Sequence, residues 1–153
     1  MNMKSIVTKQ YKENIEAARK RVGSLQIPCE GWLRTVRKAL GMSGAQLARR
    51  MGVTRGAVSI NEKAEIEGAI TLKTMQQMAS AMNCRFVYAV IPEQDVDEII
   101  FSRARAKARK LVKEASVHMA LEDQALSQKR LDDDIERTAK QLMDKPSNLW
   151  DDE

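Results

Sequence analysis

Histidine occurs once and cysteine twice in this 153-residue chain. His118, Cys29 and Cys84 have no paired spacing or clustering of the kind that builds a metal site. The two cysteines read as buried thiols in a reducing compartment. No serine, cysteine or lysine lies in a nucleophile motif, and no glycine-rich phosphate loop is present. The expectation is therefore a protein that is not an enzyme and needs no cofactor and no metal. The N-terminal MNMKSIVTKQYKENIEAARKR has no apolar run that would serve as a signal-peptide core, and no later stretch is apolar for long enough to cross a bilayer. A soluble, cytoplasmic protein with no membrane partner is expected.

Acidic residues are scarce in the first part of the chain. Residues 1–63 hold 13 Lys or Arg against 4 Asp or Glu, while residues 64–153 hold 13 against 17. A net +9 followed by a net −4 points to a two-part molecule whose first part suits a polyanion. One basic run, RARAKARKLVK at 103–113, interrupts the acidic part, which then continues through LEDQ and LDDDIE to the closing DDE. Charge runs of this kind are usually solvated helix faces.

With aromatic residues at only 4%, the spacing of small and aliphatic side chains carries most of the information. Ile15, Ala18 and Val22 recur at helical intervals over residues 5–22, and Gly23 with QIPCEG marks a linker at about 23–30. A second helix carries Trp32, Leu33, Val36 and Leu40 and stops at Gly41. Ser43 caps a third with Leu47, Ala48 and Met51 inward, Gly52 breaks it, and Thr54 caps a fourth reaching about Ala64. After the loop EIEGAI, Thr71 caps a fifth whose stripe is Leu72, Met75, Met78, Ala79 and Met82, which reads as core.

RFVYAVIP, residues 85–92, is apolar on both faces and ends in proline, so it reads as a buried strand. No second strand is evident. An unpaired buried strand is costly, and pairing of Phe86, Val87, Tyr88 and Val90 with the same strand of a second copy, across a two-fold axis, is the simplest remedy. Another protein's sheet edge would serve equally. From Asp95 to about Met143 the pattern is again helical, with a break expected between Gln124 and Lys129. DKPSNLWDDE reads as a loose end, with Leu149 and Trp150 as an available apolar anchor.

A helix-turn-helix needs a small residue at the helix crossing, a left-handed glycine in the turn, an apolar residue after it, and an apolar residue on the inner face of the second helix. Ala48, Gly52, Val53 and Val58 supply these in order. The segment from Trp32 to Met82 resembles the DNA-binding domain of the phage-repressor type (the xenobiotic-response-element family). More narrowly, AQLARRMGVTRGAVSINEKAE, GAITLKTMQQMASAMNCRFVYAVIP, HMALEDQALS and the terminal LWD resemble the family called mobile mystery protein A. The expected fold is mainly α: a five-helix phage-repressor-like domain, one dimerising β-strand and long C-terminal helices. The expected divisions are a helical extension at 1–28, the helix-turn-helix domain with its strand at 29–92, and a helical region at 93–153.

The resemblance implies that the second motif helix lies in the major groove of double-stranded DNA. Carried onto this chain, Thr54, Arg55, Gly56, Ser59 and Ile60 meet base edges. Arg55 suits guanine O6 and N7, and Ile60 a thymine methyl. Ser43, Arg49, Lys63 and Lys73 are expected on phosphates. The family's structural ion pair falls on Arg37 and Glu62. Two positions depart from the pattern: Gly44 stands where a phosphate-binding glutamine is usual, and Asn61 stands where an apolar residue usually precedes the glutamate, which puts the packing of the following turn in question.

Members of the narrower family are encoded beside a Fic-domain partner, which implies an antitoxin-like, autoregulatory role for a homodimer. An alternative is a protein that neutralises its toxin partner through the C-terminal helices, with DNA binding secondary. His118 and Glu122 share a helix face at a metal-site spacing, but two ligands do not make a site. Glu13 and Asn14 match the end of a short helical motif by which some partners inhibit Fic enzymes, and Thr8 lies one residue too far upstream to complete it.

Overall fold

The structure, a computed structural model, describes residues 2–121 and 128–151. These form α1 (Met3–Val22), α2 (Trp32–Ala39), α3 (Gly44–Met51), α4 (Arg55–Glu67), α5 (Leu72–Ala81), α6 (Val96–Leu121), α7 (Gln128–Met143) and a 3-10 helix at Pro146–Trp150. The chain divides into two compact units, Lys20–Val90 on the one hand and Met1–Arg19 with Ile91–Glu153 on the other. The break expected between Gln124 and Lys129 falls mostly outside the described residues, as does the His118–Glu122 pair.

In the unit Lys20–Val90, Leu33, Leu47, Ala48, Val58, Met75, Met78 and Met82 form the core. Leu47, Met78 and Val58 are among the largest fully buried side chains, each worth about 1.5–3 kcal/mol of burial. Local chemistry sets the helix starts. The hydroxyls of Ser43, Thr54 and Thr71 accept from the amides of Gln46, Ala57 and Thr74, each at 3.1 Å, and so satisfy donors that a helix start leaves open. The turn after α3 depends on Gly52, whose φ of 69° and ψ of 31° are left-handed. This lets Val53 N–H return to Ala48 C=O at 3.0 Å. After α5 the same closure, Cys84 N–H to Ala79 C=O, is made with Asn83 at φ 56°, the residue type that best tolerates this region after glycine.

The expected dimerising β-strand is absent: residues 84–92 have no regular structure, and no strand exists among the described residues. A strand is defined by ladder hydrogen bonds to a neighbour, and no strand partner exists among the described residues. The apolar pattern is spent otherwise. Phe86 packs half-buried against the methionine core and stacks on Tyr88 with ring centroids 5.9 Å apart, while Val87, Tyr88 and Val90 are exposed. Other apolar positions also differ from expectation: Val53, Leu40 and Leu72 are all substantially exposed. Cys29 is exposed and Cys84 partly buried, both as free thiols.

In the other unit, α6 and α7 pack through Ala104, Ala108 and Ala139, all fully buried. These small residues leave room between the helices for Leu149, which is also fully buried. The tail is therefore docked and not loose, although Trp150 stays half-exposed. Arg103 Nε donates to Leu149 C=O and Lys107 Nζ to Asn148 C=O, both at 2.7 Å, satisfying carbonyls at the end of the 3-10 helix. Arg105 pairs with Glu136 at 3.0 Å. Three members of the basic run thus hold this unit together. At the other end of α6, Glu16 of α1 accepts from Val96 N–H at 3.2 Å and Lys12 pairs with Asp97 at 2.6 Å.

Truncating Leu149 to alanine removes the only bulky side chain among the fully buried described residues of this unit, where it sits in an alanine-lined seam. The expected loss is about 2–5 kcal/mol. Amide hydrogen exchange on the full chain should show reduced protection in α6 and α7 and unchanged protection in α5.

Candidate nucleic-acid interface

The orientation of α4 is set by two carboxylates one turn apart. Glu62 accepts from Arg37 Nε at 2.5 Å and from Arg37 Nη2 at 3.1 Å, a two-point contact between side chains only 6% and 12% exposed. Arg37 Nη1 also donates to Met42 C=O at 3.0 Å, so one guanidinium joins α2, α4 and the turn entering α3. Arg34 stands 3.5 Å from the same carboxylate. The hydrogen bond that Arg37 donates to Glu62 is the main cause that holds the Arg37 pKa above its ordinary value, against the opposing effect of burial. With the folded pKa raised, the stabilising contribution is fully present below the ordinary arginine value and is lost only as pH rises through the higher folded one.

The second carboxylate, Glu65, was not singled out by sequence reasoning. Its two oxygens accept from Leu33 N–H at 3.1 and 3.3 Å, capping the start of α2 from another helix. The N-cap position itself is Gly31, which offers no side chain for the task. Gly31 has φ 80°, and a Cβ there would lie 2.6 Å from Glu65 Oε2. Glycine is required both by the backbone and by the approach of the carboxylate. The signal in the sequence was the i, i+3 spacing of Glu62 and Glu65, read there only as the edge of a loop.

With Val58 and Glu62 buried, the helical period turns Arg55, Gly56, Ser59, Ile60 and Lys63 to solvent. Thr54 is exposed just before them, its hydroxyl already capping Ala57 N–H. Ile60 is 68% exposed, an apolar side chain set among polar ones. Lys63 lies 3.7 Å from Glu67, but both side chains are well exposed, and such a pair holds the lysine weakly. Asn61 does not disturb the helix: α4 continues to Glu67 with Val58 and Glu62 facing the same way.

The expected phosphate contacts are also on the surface. Arg49 and Lys73 are exposed, and Lys73 lines an open groove with Arg50, Val53 and Gln76. Arg50 donates to Ala81 C=O at 2.5 Å, fastening α3 to the end of α5. Ser43 is more committed than expected. Its amide donates to Gln46 Oε1 at 2.7 Å while its oxygen accepts from Gln46 N–H, which leaves the hydroxyl proton as its available donor. The first amides of α3, Gly44 and Ala45, have no partner within the helix by helix geometry. A Cβ at Gly44 would lie 4.0 Å from Arg55 Cγ, which places the start of α3 beside the head of α4.

A helix-turn-helix family model matches residues 33–88, a span that runs from α2 to just past α5. No curated protein and no solved structure matches the chain. Over these residues, well under half of the chain, the protein is similar to a helix-turn-helix domain, and that similarity suggests a DNA-binding transcriptional regulator. No described helix is long and apolar enough to cross a membrane.

Replacing Glu62 with alanine strands the Arg37 charge in a mostly buried site, and the expected cost is about 3–5 kcal/mol. Glu65→Gln keeps an acceptor for Leu33 N–H and should cost about 1 kcal/mol. Urea unfolding midpoints on the full chain measure both; equal losses would show that the two carboxylates do not divide the work in this way.

Proposed function

We propose that this chain is a sequence-specific DNA-binding repressor that acts as a homodimer and regulates its own gene. The observation that supports this most directly is the outward face of α4, where Arg55, Gly56, Ser59, Ile60 and Lys63 are exposed while Glu62 anchors the opposite face to Arg37. The excess of Lys and Arg in residues 1–63 draws the domain to the phosphate backbone. α4 then enters the major groove, with Arg55 on a guanine and Ile60 against a thymine methyl. Thr54 and Ser59 complete the base-facing set. Ser43, Arg49, Lys63 and Lys73 hold phosphates and set the register. Two copies read half-sites separated by roughly 34–36 Å, one helical turn.

The resemblance to mobile mystery protein A supports a Fic-domain protein as the partner, with this chain as the antitoxin. A second reading, neutralisation of that partner through the C-terminal helices, is favoured by one feature. Asp132 and Asp133 of α7 are exposed, while Arg103, Arg105 and Lys107 are engaged within the same unit. An acidic surface of this kind suits a basic protein patch and repels DNA. Asp132→Lys combined with Asp133→Lys should then release the toxin and leave operator binding intact.

The repressor reading is tested by fluorescence anisotropy on the DNA upstream of the gene and on a scrambled duplex, across a salt series. Arg55→Ala should reduce discrimination at one base position by about 1–3 kcal/mol. Lys63→Ala should weaken all sequences alike and lower the salt slope by about one. Unchanged base preference in Arg55→Ala would rule out the proposed role of that residue.

A further inference from the structure

The helix-turn-helix unit contains an apolar hollow of about 290 Å³ that DNA recognition does not use. Trp32, Leu33 and Val36 of α2, Met75 and Ala79 of α5, and Phe86 after α5 form its floor and walls. Leu33, Met75 and Ala79 are buried core residues, so the hollow is part of the packed structure. It is close in size to the small end of ligand pockets, roughly 300–1,000 Å³, and suits a short acyl chain or a single aromatic ring.

The polar groups around it decide the chemistry of the occupant. The Cys84 thiol is already directed to Met82 C=O at 3.3 Å. Arg85 is the only charged residue lining the hollow; it is exposed and has no ion pair or hydrogen bond among the described residues. We infer that the hollow binds a small amphipathic anion, a carboxylate carrying a short acyl or aromatic group, with its apolar part beside Trp32 and Phe86 and its charge on Arg85. A second copy is a poor occupant. Residues 20–90 carry 11 Lys or Arg against 4 Glu, and a two-fold contact through this opening would bring two Arg85 side chains together. A ligand here lies against α5, whose Ala81 carbonyl holds Arg50 of α3. The inference stands independently of the DNA reading.

The test uses the full chain carrying Trp150→Phe, which leaves Trp32 as the sole indole, titrated with octanoate and with octanol below their aggregation limits. Octanoate should change Trp32 emission saturably at one equivalent per chain, and octanol should bind at least about tenfold more weakly, as expected for loss of a charged hydrogen bond. Arg85→Ala, a surface change that leaves the core intact, should abolish that difference. Ala79→Leu should block both ligands; if that variant does not fold, the Arg85 comparison decides alone. Absence of saturation, equal binding of acid and alcohol, or a signal that tracks self-association in sedimentation would overturn the inference.

Discussion

The contact between Arg37 and Glu62 is the constraint on which the outward face of α4 depends. Glu62 is the only buried charged residue in the described chain, and a buried carboxylate is tolerable only when it is paired and hydrogen-bonded. Arg37 meets that need with two donors and uses a third on Met42 C=O. Because the geometry is planar and two-pronged, it fixes rotation as well as distance. With Glu62 held inward, the helical period leaves no freedom in which residues of α4 point outward. Glu65 removes the remaining play by holding the other end of α2, and Gly31 makes room for it.

The two units use their basic residues in opposite ways. In the helix-turn-helix unit, Arg49, Arg55, Lys63 and Lys73 stay on the surface, while Arg37 and Arg34 on Glu62 and Arg50 on the end of α5 are drawn into the scaffold. In the unit containing α6 and α7, half of the conspicuous basic run is engaged by its neighbours: Arg103 and Lys107 cap the carbonyls of the 3-10 helix and Arg105 pairs with Glu136. A similar local density of positive charge is therefore a solvent-facing attractor in one place and an internal fastening in the other. What separates them is whether oxygen acceptors lie within reach once the chain has folded.

Much of the helix-turn-helix was legible because its determinants are local. The hydroxyls at positions 43, 54 and 71, the left-handed Gly52 and the 3.6-residue spacing of Leu47, Ala48 and Val58 act over a few residues, and each has one favourable local outcome. The strand at 85–92 was misread because apolar residues on both faces specify burial or association but not a ladder, and a ladder needs a partner that is absent among the described residues. Val53 was misread for a related reason: following the turn glycine places it near the helix crossing but does not decide how deeply it is covered. The docking of Leu149 was visible only as an apolar residue in a polar tail, and its seat is built by three alanines up to 45 positions away in sequence.

The sequence by itself determined where α3, α4 and α5 begin, the main apolar stripe of the core, and that the first part of the chain is suited to a polyanion, since caps, periodicity and charge are properties of neighbouring residues. Tertiary structure alone decided that Glu65 caps a helix 32 residues away, that half of the basic run is structural, and that an apolar hollow with one cation at its mouth lies beside the core. Each of these depends on groups distant in sequence meeting at hydrogen-bonding or van der Waals range, and no local pattern encodes such a meeting.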